Sequence, residues 1–139
     1  MTNITDHGPA GYVANIEGLT LENNNYRTTL WTGSNLQATL MTIQPGDDIG
    51  LEVHTDHDQF LRIEAGQATV YLGPSEDNLT TYPAKADDAV FVPAGTWHNL
   101  VNTGNEPLKL YSIYAPPEHP HGTVHPTKQD ALNDPNEQH

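Results

Sequence analysis

The 139-residue chain reads as an all-β protein with little helix, and three observations predict it. Eleven Pro and eleven Gly cut the sequence into short pieces. Between them apolar residues alternate with a period of two, the repeat of a strand, rather than recurring every three or four as on a helix. Turn-forming clusters then fall mostly about ten to twenty residues apart, the rhythm of a sandwich or barrel of short strands.

Each element follows from that pattern. Residues 1–25 are expected as an N-terminal arm with an edge strand, fraying over the first ten residues and able to cross to a neighbouring copy. Leu36, Ala38 and Leu40 share one strand face while Thr39, Met41 and Ile43 share the other. Ala68, Val70 and Leu72 alternate in the same way. So do Val90 and Val92 against Ala89 and Phe91, and Leu108 and Leu110 against Tyr111 and Ile113. Both faces are partly apolar, so the sheets should pack on each side. Turns are marked by Pro45-Gly46-Asp47-Asp48, Ala65-Gly66, Gly73-Pro74-Ser75, Pro93-Ala94-Gly95 and Asn102-Thr103-Gly104-Asn105. The single-domain body is placed at 26–115. A Pro- and His-rich tail at 116–139 has room for one short helix over 128–132, where Thr127 can cap with Asp130 three residues on, and its last six residues should fray.

Composition excludes several classes. The formal net charge of −13 repels nucleic-acid phosphates and anionic membranes. The absence of cysteine excludes disulfides, thiolate zinc sites, iron–sulfur clusters and Cys nucleophiles, so any metal must take nitrogen and oxygen ligands. No stretch approaches the roughly 18 apolar residues of a membrane span, and the start MTNITDHGPA is neither basic nor apolar, so a soluble cytoplasmic protein is expected.

Eight His in a chain without Cys are the strongest chemical lead. Glu52 and His54 sit two apart in an alternating segment, residues 49–54. As strand neighbours on one face they would stand about 7 Å apart at the root, close enough to share an ion. The polar run Thr55-Asp56-His57-Asp58 should turn the chain so that Gln59, at the head of the next strand with Leu61 and Ile63 on its face, points into the interior. His98 follows Pro93-Ala94-Gly95-Thr96-Trp97 and opens a strand that could aim it at the same point. Two imidazoles, a carboxylate and an amide oxygen suit one divalent ion among Fe, Mn, Ni, Co and Zn. The alternative is a set of polar strand ends with ordinary hydrogen bonds. His57 is expected exposed in its turn, and His119, His121 and His125 as solvated imidazoles, with His119 and His121 on one side of an extended Pro-rich segment.

These residues resemble a known pattern. Gly46, Glu52, His54, Gln59 and Gly66 fall in register with the first cupin motif, glycine, five residues, HxH, three or four residues, Glu, six residues, Gly. Asp87, Pro93, Gly95, His98 and Asn102 fall in register with the second, Gly, five residues, PxG, two residues, His, three residues, Asn. The chain is thus similar to small single-domain bacterial cupins often labelled mannose-6-phosphate-isomerase-like. The resemblance implies a small jelly-roll β-barrel, a double-stranded β-helix, with a metal on Glu52, His54, Gln59 and His98. Three positions depart from the pattern: Glu52 stands for the first His, Gln59 for the Glu and Asp87 for the second-motif Gly.

The expected function is that of a mononuclear metalloenzyme, oxygenase- or isomerase-like, acting on a small oxygen-rich metabolite, with Glu52 and Gln59 as the groups that handle protons. The alternatives are a non-catalytic small-molecule or sugar-binding cupin with a structural metal, and a decayed motif that binds no ion. A phosphosugar is disfavoured, because phosphate is held by Arg or Lys and only Arg27, Arg62, Lys85, Lys109 and Lys128 exist. Exposed sheet edges suggest a homodimer.

Overall fold

The computed structural model describes residues 4–135. In chain order it contains α1 (Ile16–Glu22), β1 (Arg27–Thr32), β2 (Gln37–Ile43), β3 (Asp58–Ala65), β4 (Gln67–Ser75), β5 (Asn78–Lys85), β6 (Ala89–Val92), β7 (Trp97–Asn102), β8 (Leu108–Ala115), β9 (Val124–His125) and α2 (Lys128–Asn133). Strands dominate and helix is minor, as the alternation predicts.

The strands form two separate antiparallel sheets, a six-stranded one in the order β6-β3-β8-β2-β1-β9 and a three-stranded one in the order β5-β4-β7. The expected jelly-roll β-barrel is therefore corrected: among the described residues neither sheet closes, and no ladder joins one to the other. The edge strands of the larger sheet, β6 and β9, are only four and two residues long, too short to carry a ladder onward. Residues 49–54, expected as a strand, cross toward β7 through two isolated bridges, Asp48 to Val101 and Glu52 to His98. Gly50 between them takes φ +92°, which breaks the extended run.

One core cluster joins the sheets. Met41, Ile43, Leu61, Ile63, Leu108 and Leu110 from the large sheet meet Ala68, Val70 and Leu100 from the small one. On the other face of β2, Leu30, Ala38 and Leu40 pack beneath Ile4, Ile16 and Leu19. Both faces of β2 are thus buried, as its two apolar rows require.

The N-terminal segment differs from expectation. Its element is α1, capped by the Asn15 side chain on the Gly18 N–H, and no described strand precedes β1. Residues expected to fray are tied down: the Asp6 carboxylate accepts from Thr32 and Gly8, and the His7 N–H donates to the Leu30 carbonyl. The segment packs on its own sheet. Fraying at 1–3 and 136–139 concerns residues outside those described. α2 begins where the sequence predicts, with Thr127 and Asp130 forming a capping box.

Two motif positions explain themselves in the backbone. Gly66 joins β3 to β4 at φ +100°, and a Cβ there would lie 3.1 Å from the Leu108 Cα. Asp87 takes φ +78°, the left-handed region usually left to Gly, and Asp is one of the few other residues that tolerate it. Its N–H donates to the Ile63 carbonyl, and its carboxylate accepts from Arg62 at 3.1 Å.

Candidate metal centre

The two motif segments are stitched together by backbone before any side chain meets. The Glu52 and His98 main chains exchange hydrogen bonds of 3.0 and 2.9 Å, and the Gly95 N–H of the Pro93-Ala94-Gly95 turn donates to the His54 carbonyl at 2.7 Å. Strand β7 alternates its burial, so His98, Leu100 and Asn102 all face inward. Asn102 closes the lower end by donating to the carbonyls of Ile43 and Glu106.

Glu52, His54 and His98 thereby converge, with one ligand atom of each within 4.8 Å of the others. Glu52 Oε1 lies 3.2 Å from His54 Nε2 and 3.5 Å from His98 Nε2. His98 is 2% exposed, and its Nδ1 is 3.0 Å from the Thr96 carbonyl oxygen. A carbonyl only accepts, so Nδ1 carries the hydrogen and Nε2 presents its lone pair to the cluster. That nitrogen makes no hydrogen bond of good geometry. A buried imidazole held in this tautomer by a carbonyl is the arrangement of a metal-binding histidine.

Burial by itself would raise the Glu52 carboxyl, yet the contact with His54 Nε2 and the nearness of both imidazoles outweigh it and hold the group well below the usual carboxylate range. Burial likewise works against a charged His54, but Glu52 and then Glu118 more than offset it, so its pKa is raised. The site is thus a negative oxygen between two imidazoles, a donor set that fits a divalent ion.

Gln59 is the second residue of β3, opposite Tyr114 of β8. Its amide nitrogen donates to the Ser112 hydroxyl at 3.0 Å, while its buried Oε1 has no hydrogen-bond partner. The Tyr114 ring stands edge-on to His54 and His57 at 6.1 and 6.0 Å. Burial pushes the Tyr114 hydroxyl far above its ordinary value, so it stays protonated.

Three expectations fail in the tail and turn. His57 is only 8% exposed and stacks on His54 at 4.4 Å instead of facing solvent. His119 and His125 are buried, and His121 alone of the three is exposed. His125 contacts Arg27 at 3.2 Å and Asp134 at 2.8 Å, far from a solvated role. Sequence reasoning also missed Glu118, whose Oε2 reaches His57 Nε2 at 2.6 Å and His54 Nδ1 at 3.3 Å. The only signal for it was the run Pro116-Pro117-Glu118-His119, which has no periodicity to place it.

Three of the five basic residues are committed elsewhere. Arg62 pairs with Glu64 and Asp87, Lys128 with Asp47 and Asp48, and Lys109 binds Asn24. Among the described residues no helix is long and apolar enough to cross a membrane.

Comparison with known proteins agrees with this geometry. The family pattern described as "Cupin domain" matches residues 39–114, more than half of the chain. A Bacillus subtilis protein called uncharacterized protein YrkC is 58% identical over 130 residues, covering 93% of this chain and 70% of that protein. The crystal structure of BH2720 from Bacillus halodurans superposes with a TM-score of 0.93 at 57% identity, covering 94% of this chain and all of that one (100%). A predicted oxalate decarboxylase from Thermotoga maritima matches at 25% identity and a TM-score of 0.53, over 58% of this chain and 66% of that one. The two motifs, the site they assemble and these matches agree: this chain belongs to the cupin family.

Proposed function

We propose that this cupin holds one divalent metal ion on Glu52, His54 and His98 and is a mononuclear metalloenzyme, oxygenase- or isomerase-like, for a small oxygen-rich metabolite. The observation that carries this reading is His98 Nε2: a buried nitrogen, stripped of any hydrogen bond, with its lone pair turned toward a carboxylate shared with a second imidazole. A buried polar atom left in that state costs about 1–3 kcal/mol unless something occupies its lone pair.

A divalent ion there would supply Lewis-acid polarisation of a substrate carbonyl or hydroxyl, and iron would add redox chemistry. The protein's own groups would do the rest. Glu52, held ionised between two imidazoles, would accept a hydrogen bond from a substrate hydroxyl next to the polarised group and so orient it for proton loss. Gln59 has its amide nitrogen fixed by Ser112, which leaves Oε1 to accept a hydrogen bond from a substrate hydroxyl or complete the ligand set. Neither Arg62 nor Lys128 is free to grip a phosphate, which favours a neutral or weakly charged ligand over a phosphosugar.

Elemental analysis of freshly purified protein tests the ligand set. We expect about one ion per chain in the wild type, strong loss in Glu52→Ala, His54→Ala and His98→Ala, and about 10–100-fold weaker binding in Gln59→Leu. Equal metal content in all of them refutes the site. Metal-dependent turnover on a panel of dicarbonyls, catechols and keto acids then tests the enzyme reading, and its absence at full metal occupancy would leave a binding protein.

A further inference from the structure

Only one edge of His54 faces the centre just proposed. Its Nε2 looks inward to Glu52 at 3.2 Å, while Nδ1, on the opposite edge of the same ring, looks outward to Glu118 at 3.3 Å. There His57 completes a second group: its ring stacks on His54, and its Nε2 stands 2.6 Å from the same Glu118 oxygen. One ligand atom from each of His54, His57 and Glu118 lies within 4.8 Å of the others.

We propose that His54 Nδ1, His57 and Glu118 form a second divalent-cation site, placed back to back with the inner one across the His54 ring. Three features of the structure support it. The side chains of His54, His57 and Glu118 are 9%, 7% and 7% exposed, so these are organised groups rather than solvated surface polar residues. His57 Nδ1 faces Asp56 at 2.8 Å, which orients the ring with Nδ1–H outward and Nε2 toward the cluster. That Nε2 makes no hydrogen bond of good geometry despite its nearness to Glu118.

An entry path exists as well. Val53, His54, Thr55, Asp56 and His57 form one wall of a surface cleft of about 400 Å³, and Pro116, Pro117 and Glu118 form the other. The outer cluster opens directly on it. Two imidazoles and one carboxylate with an open side suit Zn(II) or Co(II). A neutral imidazole has a single lone pair, so a second ion on Nδ1 requires His54 to give up its ring proton to solvent and bridge the two ions as an imidazolate, which makes the second ion bind more weakly and release one proton. Filling both sites therefore requires a higher ion concentration than filling either.

This inference shares His54 with the proposed inner centre but uses none of its other ligands, so the two can fail separately. The test is a titration of tag-free, metal-stripped full-length protein with Zn²⁺ alone, counting bound ions by equilibrium dialysis. The variants are His57→Ala, the near-isosteric Glu118→Gln and His98→Ala, each checked for folding by circular dichroism. Support is two ions on the wild type, the second at least about tenfold weaker, with one lost in each of His57→Ala and Glu118→Gln. If instead the wild type binds one ion, lost in His57→Ala and Glu118→Gln but kept in His98→Ala, the outer site stands and the inner centre falls. One ion retained by His57→Ala and Glu118→Gln overturns the outer site and leaves Glu118 as a group that positions His54. An unchanged count of two in those variants, or no binding at all, overturns it too.

Discussion

The inner face of the six-stranded sheet is two regions built on the same strands. Toward one end β2, β3 and β8 present Met41, Ile43, Leu61, Ile63, Leu108 and Leu110, which close on each other with almost no exposure. Toward the other end the same strands present Gln37, Thr39, Gln59, Ser112 and Tyr114, equally buried but polar. Burial is the same and its outcome is opposite. The apolar end gains free energy from every contact, whereas the polar end leaves Thr39 Oγ1 and Gln59 Oε1 without partners. An inactive sheet would gain by filling that end with Val and Leu. Its retention of polar groups beside Glu52, His54 and His98 is consistent with the proposed metal centre at that end.

The contrast can be broken from the apolar side first. Leu110→Ala should cost about 2–5 kcal/mol in denaturant melts, because Leu110 is fully buried between sheets that cannot collapse independently. A loss below about 1 kcal/mol would mean that the core repacks freely and the division is not real.

At the polar end stability should respond to ligand instead. Saturating divalent ion, at a free concentration a hundredfold above Kd, should stabilise the wild type by about 2.7 kcal/mol, and His98→Ala should lose most of that gain. Thermal melts with and without the ion read it directly, and an identical gain in His98→Ala would place the ion elsewhere.

Tyr26 probes the apolar side by pH. Burial is the largest influence on its hydroxyl, which is pushed up to about 12, and only long contacts of 3.4 and 3.5 Å reach the Asp48 and Ile49 carbonyls. Because the folded value lies above the unfolded one near 10, the linked stability is complete below pH 10 and declines as pH rises toward 12. The wild type should lose about 2 kcal/mol over that window relative to Tyr26→Phe. Parallel loss in the two proteins would show that the hydroxyl ionises without unfolding.

The smallest expected effect has the opposite sign. Thr39→Val swaps a fully buried hydroxyl that has no partner for a methyl of the same shape, and should stabilise by about 1 kcal/mol. Destabilisation by that amount would mean that the hydroxyl is satisfied in solution and that the polar end is less strained than it looks.

Much of this was legible in the letters. A period of two is a local property, so the faces of β2, β4, β6 and β8 could be assigned from Leu40 and Met41, Val70, Val90 and Leu110 alone. The α2 cap was equally local, since Thr127 and Asp130 bond each other across one turn. The motif spacing also located Glu52, His54 and His98, because the turn at Pro93-Ala94-Gly95 ties directly to His54. Sheet closure was not legible. Alternation is identical in an open sheet and a barrel, and the difference lies in whether short edges such as β6 and β9 find partners.

The faces of β2, β4, β6 and β8 and the pair of metal-suited segments were set by residue pattern, because each depends on neighbours a few positions away. The burial of His57, the reach of Glu118 to both His54 and His57 and the polar half of the sheet were decided only on folding. Those depend on where a Pro-rich tail returns to a turn some sixty residues earlier, and no local periodicity encodes a distance across that gap.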